Sequence, residues 1–297
     1  MTIAVTGATG FVGCALREEA ARQGVALRAL TRREQPEAEG IEWVRGDLHD
    51  RAALARLVDG AEALIHVAGV VNAPDPTGFH LGNVEGTMAL VEQAVAEGLP
   101  RLVFVSSLAA REPQLSKYGA SKRHAEKLVS ASGLDWTIVR PPAIYGPRDR
   151  EMLELFRLAK RGIVPMPPPG RASLIHVGDL SRLLLALLPG GEGVTHRTFE
   201  PDDARAGGWS HRELAHAIGE AVGRRPWVPH LSKAALERLA RLDRLFRGEG
   251  AKLSPDRVGY MSHPDWVASP GLRPHPELWQ PQVPTPEGLK ATADWYR

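Results

Sequence analysis

A chain of 297 residues with 43% hydrophobic content can bury a sizeable core and is long for one simple domain, so a large domain with a smaller lobe is expected. A formal charge of only +2 gives no electrostatic footprint for nucleic acid or an acidic membrane, and the lone cysteine, Cys14, excludes an intramolecular disulfide and fits a reducing compartment. No apolar run approaches a membrane span, and the opening MTIAVTGATG lacks a basic start, so the expectation is a cytoplasmic protein that acts on a small molecule and has no metal, nucleic-acid or membrane partner.

Ile3 to Thr6 reads as a strand running into Gly7, Gly10 and Gly13, with Phe11 to Gln23 as the helix that follows. Strand, glycine turn and helix N-terminus together hold a dinucleotide pyrophosphate, because glycine lets backbone approach phosphate and the helix end offers free N–H groups. Gly7, Thr9, Gly10, Phe11, Val12 and Gly13 are therefore candidate cofactor contacts, while Cys14 reads as packing. The second strand, Val25 to Thr31, ends where the adenosine ribose is met. A carboxylate there suits the hydroxyls of NAD and a guanidinium suits the 2′-phosphate of NADP. The chain has Arg32 and Arg33 before Glu34, so NADP is favoured and NAD is possible.

Ile41 to Arg45 is a third strand, closed by Gly46, Asp47 and Leu48, and Asp47 and Asp50 compete to cap the helix Arg51 to Val58. Ala63 to Val67 is a fourth strand in which His66 reads as packed. Asn83 sits where a helix running to Glu97 begins, so it has a capping role open to it. Leu102 to Val105 is the fifth strand. It leads into Ser106 and Ser107, and a short polar loop delivers Tyr118 to a helix that continues to about Ser130. Tyr118 and Lys122 are four apart, so phenol and ammonium share one helical face. A neighbouring cation is expected to lower the phenol from about 10 toward the working range of a general acid, and Ser107 supplies a hydroxyl to orient a substrate oxygen.

Trp136 to Arg140 is the sixth strand of a β/α alternation that implies a doubly wound parallel sheet, a Rossmann fold. A helix from Glu151 to Ala159 and a rigid IVPMPPPG run follow. Leu174 to Val177 and a helix from Asp179 to Leu188 then read as a return to the first domain. After Phe199, helices over Ser210 to Val222 and Lys233 to Phe246, with helix starts at Ser254-Pro255 and Thr285-Pro286, suggest a smaller, mainly helical lobe. The expected division is 1–147 with 172–200 for the dinucleotide and 148–171 with 201–297 for the substrate. The stripe Leu236, Leu239, Leu242, Leu245 and Phe246 is expected to pack on the lobe in preference to a membrane.

TGATGFVG at Thr6 to Gly13, taken with Ser107, Tyr118 and Lys122, resembles the extended short-chain dehydrogenase/reductases, also called the NAD-dependent epimerase/dehydratase family. The resemblance spans nearly the whole chain and is strongest over the first 180 residues. It implies that Asp47 and Leu48 flank the adenine, that Val67, Ala68 and Gly69 lie over a cofactor ribose, and that Pro141 and Ile144 belong to a loop beside the nicotinamide. Ser106 joins these as a cofactor contact, and Asn83 near the lysine helps to hold a water. It also implies catalysis by Ser107, Tyr118 and Lys122, the lysine binding the nicotinamide ribose as well, and a homodimer formed through the helices that carry Met88, Val91, Val95 and Tyr118. Dehydratase members carry Asp-Glu where this chain has Leu108 and Ala109, and nucleotide-sugar enzymes carry Arg-Asp-Phe where it has Ala172, Ser173 and Leu174. The expected activity is hydride transfer between nicotinamide and a ketone, aldehyde or secondary alcohol. A nucleotide-sugar epimerase and a non-catalytic cofactor-binding protein are the alternatives.

Overall fold

A computed structural model describes residues 2–73, 75–248, 251 and 253–297. Its strands are β1 (Thr2–Thr6), β2 (Ala26–Thr31), β3 (Ile41–Arg45), β4 (Ala63–His66), β5 (Arg101–Val105), β6 (Asp135–Val139), β7 (Ala143–Tyr145), β8 (Arg171–Ala172), β9 (Leu174–His176), β10 (Arg197–Phe199), β11 (Trp209–Ser210) and β12 (Asp265–Trp266). Its helices are α1 (Phe11–Arg22), α2 (Arg51–Val58), α3 (Pro76–Phe79), α4 (Gly86–Ala96), α5 (Lys117–Ser130), α6 (Leu153–Arg161), α7 (Val177–Ala186), α8 (His211–Ala221), α9 (Lys233–Arg247), α10 (Pro255–Met261) and α11 (Thr285–Trp295).

Among the described residues, seven strands form one sheet in the order β10-β6-β5-β4-β1-β2-β3, with every neighbouring pair parallel. β4 and β5 are buried along their whole length, as apolar strands covered on both faces must be. One face packs Leu16 and Ala20 of α1 against Leu180, Leu183 and Leu184 of α7. The other packs Leu54 and Leu57 of α2, Leu90 of α4 and Val129 of α5. Strand order reverses between β1 and β4, and ligands of open α/β sheets bind in the crevice at such a reversal.

The structure corrects several expectations. Asn83 does not open a helix: Asp75 accepts from Gly78 N, Pro76 fills the first helical position, and a π-helical stretch over His80–Glu85 joins α3 to α4. β9 pairs with β7 outside the large sheet, although α7 does return to pack on α1, and β10 supplies the seventh strand. The polar loop after Ser107 is two 3-10 turns, Leu108–Arg111 and Pro113–Leu115. Beyond the sheet, α6, α8 and α11 enclose Phe156, Leu214, Ile218 and Leu289. A three-stranded sheet, β11-β8-β12, sits beside these helices, so strands contribute there too. On α9, Leu236 and Ala240 pack with Val258 of α10, while Leu239, Leu242, Leu245 and Phe246 are exposed, so most of the stripe does not pack on the lobe.

Candidate active site

The glycine turn is built by exclusion of side chains. Gly7 adopts φ +74°, and a Cβ there would stand 2.6 Å from Ala68 N. A Cβ on Gly13 would stand 2.1 Å from the Gly7 carbonyl oxygen. Gly10 ends the turn as the extended N-cap of α1, with no capping side chain and no acidic residue in the first turn among the described residues. This N-terminus suits a pyrophosphate, because bare N–H groups and the positive dipole end face the same crevice.

A cavity of about 1850 Å³ runs from this turn along the C-terminal ends of β1, β4 and β5 toward α9 and α10. Gly7, Thr9, Gly10, Phe11, Val12, Gly13 and Cys14 form one end, so the cysteine faces the cavity where packing was expected. Arg32, Asp47 and Leu48 line the flank, Val67, Ala68, Gly69 and Ser106 the floor, and Pro141 and Ile144 the far wall. Ser107, Tyr118 and Lys122 all line this same cavity. Neither Arg33 nor Asn83 is among the lining residues.

Tyr118 lies in the first turn of α5, fixed from two sides. Ser116 caps the helix by accepting from Gly119 N at 2.9 Å. Asp256 of α10 reaches across to accept from Lys117 N at 2.5 Å and Tyr118 N at 3.3 Å. Ser107 Oγ accepts from Ala109 N at 3.2 Å and lies near enough to the Tyr118 hydroxyl to favour its ionised form. Lys122 is buried. Its Nζ donates to Val105 O at 2.8 Å and sits 4.5 Å from the Phe104 ring centroid. Desolvation pushes the Tyr118 phenol up to about 12, against the pull of Ser107, and brings Lys122 down to about 8, against the raising effect of Glu126. This corrects the expected lowering of the tyrosine. In the protein alone, burial outweighs the Ser107 hydroxyl and holds the phenol above its ordinary value.

The Asn83 amide is spent on structure: Oδ1 accepts from Val70 N at 2.7 Å, and Nδ2 donates to Val70 O and Ser121 Oγ, each at 2.9 Å. It holds the loop after β4 rather than capping a helix. His66 is packed as expected, with Nδ1 2.6 Å from Thr6 Oγ1 and Nε2 3.0 Å from Thr87 Oγ1. Burial, followed by the Lys122 charge, takes it down to about 3. Asp50 caps α2 through Ala53 N, which leaves Asp47, bonded to His49 N, on the cavity flank.

Several residues with evident roles escaped the sequence reading. Glu126, four residues past Lys122, accepts from Ser106 Oγ at 2.6 Å and from Arg140 Nε at 2.8 Å, and Arg140 extends to Glu200 at 3.4 Å. The spacing on the Lys122 face was the available signal. Arg45 and Arg56 share with Arg32, and with the carboxylates Asp47 and Asp50, a small adjoining cleft of about 530 Å³. Asp149 is buried against the cavity. Its Oδ1 accepts from Glu151 N and Met152 N, its Oδ2 finds no partner among the described residues, and desolvation raises it to about 6. Tyr260 of α10 stands with its ring 6.2 Å from that of Tyr118. Among the described residues, no cluster of three or more His, Cys, Asp or Glu could hold a metal ion. Likewise, no helix is long and apolar enough to cross a membrane.

A protein of Caulobacter vibrioides (strain NA1000 / CB15N) named ceramide reductase is 36% identical over 304 residues, covering 99% of this chain and 94% of that one. A 2-alkyl-3-oxoalkanoate reductase of Stenotrophomonas maltophilia (strain K279a) is 33% identical over 187 residues, 54% of this chain and 56% of that one. Among solved structures, MoeE5 in complex with UDP-glucose and NAD superposes with a TM-score of 0.76 at 24% identity, over 99% of this chain and 98% of that one, a likeness of fold. Residues 3–199 match the family described as NAD dependent epimerase/dehydratase, and with the glycine turn, the parallel sheet and the Ser107, Tyr118, Lys122 cluster this places the chain in the NAD dependent epimerase/dehydratase family.

Proposed function

We propose that this protein is a cytoplasmic NAD(P)-dependent reductase that delivers hydride to the ketone of an amphiphilic, alkyl-bearing substrate. The observation that carries the reading is the meeting of Ser107, Tyr118 and Lys122 in one cavity with the glycine turn at one end. Toward the lobe the cavity wall includes Leu155, Leu239, Leu242, Met261 and Trp266, apolar surface for an alkyl chain, with Arg150, Arg247 and Arg257 beside it for a polar head. Relatives named for reducing a ceramide and an oxoalkanoate support the same class. The epimerase alternative has support from likeness of fold.

When bound, the nicotinamide supplies hydride. Ser107 holds the ketone oxygen, and Tyr118 donates its proton to that oxygen as negative charge develops there. A phenol held protonated suits the reductive direction. Lys122 anchors the ribose and stabilises the phenolate left behind, while the Glu126–Arg140 pair keeps Ser106 and the end of β5 in register with α5. Arg32, beside Arg45 and Arg56, favours the 2′-phosphate of NADPH. We further propose a homodimer through α4 and α5, since Met88 and Val95 are exposed, although Val91 is buried in its own subunit.

The test is NADPH oxidation by the purified protein with a ceramide ketone, a 2-alkyl-3-oxoalkanoate, a short water-soluble ketone and UDP-glucose. Turnover of the lipid ketones is expected. Conversion of UDP-glucose to its 4-epimer with catalytic NAD, and no ketone reduction, would replace this reading with the epimerase.

A further inference from the structure

The face of α9 left bare by the fold is the largest concentration of exposed apolar side chains in one element of the described residues. Leu245 is 77% and Phe246 83% exposed, with Leu239 and Leu242 roughly half exposed beside them. The same helix carries Arg238, Arg241, Arg244 and Arg247, all exposed, against two acids, Glu237 and Asp243. Solvent alone does not account for large apolar side chains gathered on one turn, and such patches mark contact surfaces. A helix with leucine and phenylalanine on one side and arginine on another is the composition of a segment that lies in a membrane interface.

Two observations choose the occupant. The charge is complementary to anionic headgroups, each interfacial arginine adding attraction within a Debye length. The apolar row is also continuous with the cavity, because Leu239, Leu242 and Phe246 line it, with Asp243 and Arg247 beside them, while the exposed Leu245 lies outside the lining. An apolar rim that runs from a bilayer surface straight into a binding cavity gives an alkyl-bearing molecule a path that never crosses water. A chain with only +2 net charge can still do this, since α9 by itself carries Lys233 and four arginines against two acids.

We infer that α9 docks the protein on an anionic phospholipid surface, with Leu245 and Phe246 entering the acyl boundary, the arginines at the headgroups and the cavity mouth turned to the membrane. This goes beyond the hydride-transfer reading and is measured without turnover. The experiment is flotation of the whole protein with vesicles of phosphatidylglycerol and phosphatidylcholine in equal parts, and with phosphatidylcholine alone. Binding to the anionic vesicles is expected, weakening as salt rises. Leu245→Glu, at a position outside the cavity lining, should reduce the partition coefficient on the order of tenfold or more. Arg241→Glu with Arg244→Glu should do the same. Both variants should retain the melting temperature and NADPH affinity of the parent, which separates loss of docking from loss of fold. Failure of the parent to float, equal binding to phosphatidylcholine alone, or flotation that survives Leu245→Glu each overturns the inference. A mass that doubles with concentration and reverts in Leu245→Glu, without flotation, also overturns it by assigning the face to a second copy.

Discussion

Tyr118 and Lys122 carry opposite consequences of the same burial. Tyr118→Phe removes the proton and leaves the glycine turn intact, so kcat should fall by about two orders of magnitude or more while the dissociation constant for cofactor, read by calorimetry, is unchanged. Lys122 is depressed from 10.5 to about 8, so the folded protein releases this proton before the unfolded chain does. Burial of the ammonium therefore costs stability in full below pH 8, and the cost is relieved as pH rises from 8 to 10.5. Lys122→Met should melt higher than the parent at pH 7, with the difference shrinking across that window, and should lose turnover. For Arg32, a charge-assisted contact of about 1.5 to 3 kcal/mol predicts NADPH binding roughly tenfold to a hundredfold tighter than NADH. Arg32→Ala should weaken NADPH alone, and equal affinities in the parent at low salt would send the guanidinium back to solvent. These residues were legible because each stands in a short local pattern. Glu126, Asp149 and Glu200 were not, since a carboxylate in sequence shows nothing of whether it is buried or which guanidinium it faces.

At the scale of elements, starts were legible wherever a cap was written in the chain. Ser210 and Glu213 form a capping box on α8, and Ser254 with Pro255 opens α10. The same signal stands at Asp75-Pro76, but the π stretch at His80–Glu85 interrupts the helical period that would make it legible. β10 is three residues long at a sheet edge, too short for alternation to show. On α9 the period was right and the burial wrong, since periodicity reveals an apolar face and not what covers it. α10 gives the sharpest element-scale prediction. Gly259 lies against the turn after Ser107, where a Cβ would stand 2.2 Å from the Leu115 carbonyl oxygen. Gly259→Ala must displace α10, and with it Tyr260 and Asp256, from Tyr118. The expected result is a lower kcat and a raised KM for ketone with unchanged NADPH affinity. An unaltered kcat would mean that α10 is not held to the catalytic turn.

For the whole molecule, the alternation of strand and helix specified the doubly wound sheet, because few topologies satisfy parallel pairing with right-handed crossovers. The union of lobe and catalytic segment could not be read, since it joins residues far apart in the chain. Arg111 in the turn after Ser107 donates to the carbonyls of Val267 and Asp265, and Asp256 accepts from Lys117 and Tyr118. The proposed dimer is also a whole-molecule property. Light scattering at micromolar concentration should give twice the chain mass, and Met88→Glu should return it to the monomer. A monomeric parent mass ends that proposal.

The Asp256 contact has a consequence for how the chain is made. The turn that presents Tyr118 is finished by a side chain that leaves the ribosome well over a hundred residues later. A product of premature termination ahead of that carboxylate still contains the glycine turn and the seven strands of the large sheet, and its Tyr118 turn keeps the Ser116 cap but loses the Asp256 contact. There the N–H groups of Lys117 and Tyr118 have no carboxylate to meet, so the final placement of Tyr118 waits on a late part of the chain.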